Sequence, residues 1–167
     1  DTVSPMIFRY EPSPNSYFII FGPSKVRVIE GEISILNKSL KPGDDFLLKA
    51  SKSLPVQSGS NEKIRLDISA DVKDITEIIK ELDHNPIPNS WHEASGKLIA
   101  AIQNKFAENK NAKFIAVVVG KTRGKTTQTI YHSNRIAQEF ENVYVVDGDM
   151  GQQSLYMPGT VAIVKLT

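Results

Sequence analysis

The chain has 167 residues, of which 40% are hydrophobic and 23% charged, with a formal net charge of +1 and no cysteine. Such a length fits one large domain or two small ones, and such a composition is that of a globular chain and not of a disordered one. The missing cysteines exclude a disulfide framework and thiolate metal sites, and the near-zero charge leaves no global polyelectrolyte field, so any nucleic-acid contact has to be local.

The chain opens on Asp1-Thr2-Val3-Ser4-Pro5, which lacks the basic and apolar regions of a signal peptide. It begins with Asp and not Met, so a fragment of a longer protein is expected. Residues 1–70 read as a small all-β sandwich or barrel. Tyr17-Phe18-Ile19-Ile20-Phe21 is a compact apolar run closed by Gly22-Pro23. In Lys25-Val26-Arg27-Val28-Ile29 the apolar residues alternate with basic ones, as on a strand with one face in water, and Glu32-Ile33-Ser34-Ile35-Leu36 alternates again. Lys41-Pro42-Gly43-Asp44 is a turn signal; Phe46-Leu47-Leu48 and Lys63 to Ile68 supply further strands.

Residues 71–89 read as a helical linker. Ile75, Ile78, Ile79 and Leu82 fall at i, i+3, i+4 and i+7, one face of a helix, and His84-Asn85-Pro86-Ile87-Pro88 ends it. Ser90 with Glu93 forms a capping box that predicts a second helix from about Trp91, its apolar face continued by Leu98, Ile99, Ile102 and Phe106.

Residues 90–167 read as the start of an α/β domain with a parallel sheet. Phe114 to Val119 is a continuous apolar run, the pattern of a strand buried on both faces. It is also the longest apolar run and far too short to span a bilayer, so no membrane is expected and the default location is intracellular, cytoplasmic, or nuclear if the source is eukaryotic. Lys125 to Phe140 is long enough for a helix; Val143 to Val146 is a second buried strand, and residues 160–164 offer a third.

Between the first strand and the helix stands Gly120-Lys121-Thr122-Arg123-Gly124-Lys125-Thr126-Thr127, a phosphate-binding loop of the nucleoside-triphosphate type. Glycines let backbone N–H groups turn inward around phosphate oxygens, and the helix N-terminus adds positive potential. Lys125 then reaches the terminal phosphates, the Thr126 hydroxyl ligates Mg²⁺, and Thr127 contacts the inner phosphates. The motif has four residues between its first glycine and Gly-Lys, whereas Lys121-Thr122-Arg123 supplies three. A shorter loop removes one N–H from the cradle. After the second strand comes Asp147-Gly148-Asp149-Met150-Gly151-Gln152. Carboxylates at the C-terminal edge of a parallel sheet stand where its ligands bind, and suit both Mg²⁺ positioning and acceptance of a hydroxyl proton. Lys105, Lys110, Lys113, Lys121, Arg123 and Lys125 form a local basic cluster suited to a polyanion, although the first three fit a solvated helix face equally well. His84, His92 and His132 lack metal-ligand spacing and read as surface or packing residues; Trp91 reads as a hydrophobic anchor.

The order of these segments resembles the polynucleotide 5′-hydroxyl kinase family (Clp1/Grc3/Nol9-like, archaeal type). The likeness is carried by Gly22-Pro23-Ser24-Lys25-Val26-Arg27-Val28-Ile29-Glu30-Gly31 with Lys41-Pro42-Gly43, by Ile87-Pro88-Asn89-Ser90-Trp91, by the phosphate loop, and above all by Asp147 to Ser154 running into Met157-Pro158-Gly159-Thr160-Val161. The resemblance implies a β-domain joined to the first part of a P-loop kinase domain, with further core strands, a basic lid and a C-terminal domain missing, so a truncated protein is expected. It implies transfer of the γ-phosphate of ATP (or GTP), with Mg²⁺, to the 5′-hydroxyl end of RNA or DNA, with RNA-processing proteins as partners. Lys125 would hold the β- and γ-phosphates and Thr126 the metal. Asp149 would activate the hydroxyl while Asp147 serves the metal site, or the two with exchanged roles.

Two rival readings remain. MinD/ParA-like ATPases also combine a compact loop ending in Gly-Lys-Thr-Thr with an Asp-x-Asp. This loop lacks their paired glycines, its lysine is one position off, and the β-domain argues against them. A non-catalytic binding module that docks RNA or a processing partner, with a degenerate nucleotide site, is the other.

Overall fold

A computed structural model describes residues 5–60, 63–119, 124–148 and 161–166. The chain divides into two compact units, Asp1–Ile87 and Pro88–Thr167.

The first unit holds two antiparallel sheets. The strands are β1 (Met6–Tyr10), β2 (Tyr17–Phe21), β3 (Ser24–Glu30), β4 (Ile33–Ile35), β5 (Lys38–Leu40), β6 (Asp45–Leu48), β7 (Ser53–Ser58), β8 (Arg65–Ala70) and β9 (Ile79–Leu82). One sheet has four strands in the order β1-β8-β3-β6, the other five in the order β5-β4-β7-β2-β9. Alternation along each strand decides which face is inside. Val26 and Val28 of β3 are fully buried, as are Leu66 and Ile68 of β8, Phe18 and Ile20 of β2, Ile33 of β4 and Val56 of β7. The residues between them face out. On the four-stranded sheet the register sets Arg9, Asp67, Arg27 and Asp45 side by side across β1, β8, β3 and β6, a ladder of alternating charge. Such exposed pairs add little stability but keep the outer face wet. The two buried faces form the core of a β-sandwich. Its one polar inclusion in the five-stranded sheet, Ser58, is satisfied: its Oγ donates to the Ser13 carbonyl at 2.6 Å and accepts from the Ser16 N–H at 2.8 Å.

Two corners need glycine or a tight turn. Gly22 follows β2 and joins Pro23 by a cis peptide. A Cβ at Gly22 would lie 2.1 Å from the Lys49 carbonyl oxygen, so only glycine lets these two stretches of backbone meet. At Lys41–Asp44 the Asp44 N–H donates to the Lys41 carbonyl at 3.0 Å and the Lys41 N–H to the Asp44 carboxylate at 2.8 Å, closing the expected turn.

The helix expected over Ile75–Leu82 is not formed. Ile75–Glu77 is one turn of 3-10 helix, capped by Asp74 and Glu77 reciprocally, and the chain then enters β9. A segment this short nucleates a helix poorly. The β2 edge offers Ile79 to Leu82 a full antiparallel ladder, with Ile20 opposite Ile79 and Tyr17 opposite Leu82. Ile78, which ends the 3-10 turn, and Ile79, which opens β9, are both buried.

The second unit holds α1 (Asn89–Glu108), α2 (Lys125–Ala137), β10 (Tyr144–Asp147) and β11 (Ala162–Lys165). Helix α1 starts two residues before Trp91, with Pro88 at the N-cap position and no side-chain cap, so the Ser90/Glu93 capping box is not made. Proline's fixed φ suits a helix entry without one. The α1 face that turns inward carries Ser95, Ile99 and Ile102. Trp91 meets Tyr131 edge-on at 5.7 Å between ring centroids, and Phe106 meets Phe140 at 5.9 Å.

The parallel sheet is not found among the described residues. β10 pairs with β11 in antiparallel register, Tyr144 opposite Lys165 and Asp147 opposite Ala162. Tyr144 and Val146 are exposed and only Val145 is buried, so the strand expected to be buried on both faces has one face open. Residues 114–119 join no ladder, and Ile115, Val117 and Val119 are 85%, 75% and 84% exposed. A strand covered on both faces needs neighbours at both edges and layers above and below. The described residues supply neither for this run.

Candidate functional site

The phosphate loop falls partly outside the described residues: Gly120, Lys121, Thr122 and Arg123 are not described, nor is Asp149. Its second half is. Gly124 is the N-cap of α2 with φ 104° and ψ −11°, a left-handed conformation that a side chain would disfavour. Among the described residues nothing lies within 4 Å of where its Cβ would be. That reversal starts the helix: the Gln128 N–H donates to the Gly124 carbonyl at 2.9 Å. Lys125, Thr126 and Thr127 fill the first turn, with Lys125 and Thr126 exposed and Thr127 half-buried. The Thr129 hydroxyl folds back onto the Lys125 carbonyl at 2.9 Å.

The electrostatics of this helix start favour an anion. Among the described residues no side chain caps it, and no acidic residue lies in its first turn. Its leading N–H groups therefore keep their positive potential, to which the Lys125 ammonium adds.

Asp147 closes β10 and is half-buried. β10 and α2 are in contact, so the strand carrying Asp147 lies against the helix carrying Lys125 and Thr126. Among the described residues no group of three or more His, Asp or Glu side chains could hold a metal ion. The metal reading thus rests on Thr126, Asp147 and the undescribed Asp149. Of the basic cluster, Lys105, Lys110 and Lys113 are exposed.

Sequence reasoning passed over one feature. Ser95 on α1 and His132 on α2 are both buried, 1% and 7% exposed, with Ser95 Oγ 2.7 Å from His132 Nδ1. Trp91 and Tyr131 pack around the imidazole at 6.4 Å and 5.5 Å between centroids. Removal from water holds the His132 pKa below the usual imidazole value, so the ring is kept neutral. The signal was available: Ser95, Ile99 and Ile102 repeat at i, i+4 and i+7, which sets a hydroxyl on an apolar helix face. A buried hydroxyl needs a partner.

Residues 120–167 match the family model described as the mRNA cleavage and polyadenylation factor CLP1 P-loop. Among solved structures, the wild-type Clp1p–Pcf11p complex matches with a TM-score of 0.65 at 15% identity, over 98% of this chain and 37% of that one. A second Clp1p–Pcf11p structure, which addresses an extended interface and the basis of ATP loss in a point mutant, matches with a TM-score of 0.65 at 14% identity, over 98% of this chain and 38% of that one. The present chain therefore spans well under half the length of the Clp1p chains whose fold it shares. No curated protein matches it by sequence. Among the described residues no helix is long and apolar enough to cross a membrane.

Proposed function

We propose that this chain is a Clp1-like member of the polynucleotide kinase family, and that the intact protein transfers the γ-phosphate of ATP (or GTP) to a 5′-hydroxyl of RNA, or of DNA. The observation that carries the reading is the start of α2. A left-handed glycine opens an uncapped helix whose first residues are Lys125 and Thr126, in a segment that matches the CLP1 P-loop. The sequence supports it further with Asp147-Gly148-Asp149 directly after β10.

In this reading Lys125 holds the β- and γ-phosphates and Thr126 contributes to Mg²⁺. Asp149 accepts the proton of the attacking hydroxyl and Asp147 serves the metal, or the two exchange these tasks. Gly120, Lys121, Thr122, Arg123, Gly124 and Thr127 complete the cradle with backbone N–H groups and side chains. In phosphoryl transfer the protein mainly aligns the groups and neutralises charge, which is what a lysine, a helix start and a metal do together. An RNA-processing protein is the partner class, in line with the pairing of Clp1p with Pcf11p in the matched structures.

The test is transfer of labelled γ-phosphate by the intact protein to a 5′-hydroxyl oligonucleotide, RNA and DNA in separate reactions. Lys125→Ala is expected to abolish ATP binding, and Asp149→Asn to leave binding but lower the rate of transfer at least 100-fold, the usual size of a lost general base. No transfer to either polymer by the wild type refutes the kinase reading. ATP binding without transfer would identify the non-catalytic module instead.

A further inference from the structure

We infer that the buried hydrogen bond between Ser95 and His132 is a positioning device for the nucleotide site: it fixes the rotation of α2 about its own axis and so the direction in which Lys125 faces. The inference rests on the proposed nucleotide-binding role of Lys125.

His132 lies seven residues beyond Lys125 on α2. At about 3.6 residues per turn, seven residues make almost two full turns, so both side chains leave the helix on nearly the same side, roughly 10 Å apart along it. Whatever holds His132 in azimuth holds Lys125 too.

Three described contacts join α1 to α2. Two are ring pairs, Trp91 edge-on to Tyr131 and Trp91 tilted against His132. Ring pairs tolerate sliding and tilting over a broad range of geometry. The third, Ser95 to His132, is a 2.7 Å hydrogen bond between two buried groups, and a bond of that length is lost by a displacement of less than about 1 Å. It is therefore the directional contact of the three. Its surroundings suit that task and no chemical one. Ser95 is 1% exposed and cannot meet a substrate, so the pair is not a nucleophile and its base. With the ring neutral and its proton on Nε2, Nδ1 accepts from the Ser95 hydroxyl and the pair is satisfied without charge.

A packing role and a positioning role differ in what rescues them. Removing one partner leaves the other buried and unpaired, which destabilises; removing both leaves no orphan and returns most of the stability. If the bond only packs the helices, ATP affinity follows stability back. If it sets the rotation of α2, affinity stays low when stability recovers.

The experiment titrates Mg-ATP into the intact protein and records its melting temperature, for the wild type and for Ser95→Ala, His132→Leu, the Ser95→Ala/His132→Leu double variant, His132→Asn and Ile102→Val. Ser95→Ala and His132→Leu are expected to weaken ATP at least fivefold. The double variant is expected to melt closer to the wild type yet bind ATP as weakly as the single variants. His132→Asn, which keeps a polar atom near the place of Nδ1, is expected to bind within twofold of wild type. Ile102→Val loosens the same buried face of α1 without touching the bond and is expected to leave affinity unchanged. Recovery of affinity in the double variant, wild-type affinity in folded Ser95→Ala, or equal weakening by Ile102→Val would each overturn the inference. Lys125→Ala in the same series keeps the two readings apart. Undiminished ATP binding there refutes the site itself, whereas loss there with wild-type binding in Ser95→Ala refutes only the positioning role.

Discussion

Replacing Gly22 by alanine should unfold the β-sandwich at a much lower temperature, while the same replacement at Gly96 should stabilise the chain. At Gly22 the new methyl would lie 2.1 Å from the Lys49 carbonyl oxygen and 2.7 Å from that of Leu48. Ordinary contact begins near 3.4 Å, so one strand end has to retreat by about 1.3 Å. The obstacle is backbone on both sides, and no side chain can swing away. The same corner is tied by the Gly22 N–H to the Lys52 carbonyl at 2.9 Å, a bond that the retreat would stretch. Overpacking a tight site costs about 1–3 kcal/mol and a weakened hydrogen bond about 1 kcal/mol more, roughly 3 kcal/mol together. For a unit of this size each kcal/mol lowers the melting temperature by about 4–8 °C, so a fall of roughly 12–24 °C is expected. Gly96 lies within α1 with nothing inside 4 Å of its Cβ position, and alanine there should add about 0.5–1 kcal/mol through helix propensity alone. Hydrogen exchange followed by mass spectrometry reads the two units separately, amides of β2, β3 and β6 for the first and amides of α1 for the second. Unchanged protection of the sandwich in Gly22→Ala would refute the close-approach reasoning.

Three further outcomes follow from the same geometry. Phe18 is fully buried against the edge of Tyr10 at 5.2 Å, and Phe18→Ala should cost about 3–5 kcal/mol in denaturant unfolding. The Tyr10 hydroxyl donates to Glu81 at 3.0 Å, and burial first, then that bond and the carboxylate charge, push its pKa upward. The neutral phenol is thus favoured by folding: its contribution is complete below about pH 10 and is lost as pH rises beyond it, so Tyr10→Phe should flatten the alkaline limb of the stability curve. For His132 the folded pKa lies below the unfolded value, so its contribution is complete above about pH 6.5 and is lost as pH falls toward the folded pKa. Melting curves between pH 8 and about pH 5 should show that acid-side loss in the wild type and less of it in His132→Leu, and equal slopes would refute the buried-neutral assignment.

The sequence displayed best what depends on a few neighbours. Alternation in Lys25 to Ile29 named the buried and exposed faces of β3 correctly, because a strand's period is set by its own backbone. The turn at Lys41–Asp44 and the glycine at the head of α2 were equally plain, being local angles. What it hid depends on partners far along the chain. Ile75 to Leu82 carries a helical spacing, yet the open edge of β2 claims its second half as a strand. Strands β5 and β7 lack strong runs of their own and are drawn in by pairing, as Ser53 to Ser58 shows, with Pro55 inside it. Phe114 to Val119 reads as buried because apolar runs usually are, but burial belongs to the layers around a strand and not to the strand. Within the site, the first turn of α2 stood in the motif, whereas Ser95 and His132 meet only once two helices are laid together.

The uncovered run from Phe114 to Val119 has a consequence for handling the polypeptide in solution. Six consecutive residues without charge, proline or glycine, three of them β-branched valines and one isoleucine, are the composition of a fibril-forming segment. Among the described residues Ile115, Val117 and Val119 of this segment are exposed, as are Tyr144, Val146 and Ile163 of the β10–β11 ribbon. The chain carries one gatekeeper immediately upstream, Lys113. Clouding that grows with concentration and eases at low salt is the expected behaviour, and Val117→Lys would suppress it by adding a charge to the middle of the adhesive strip.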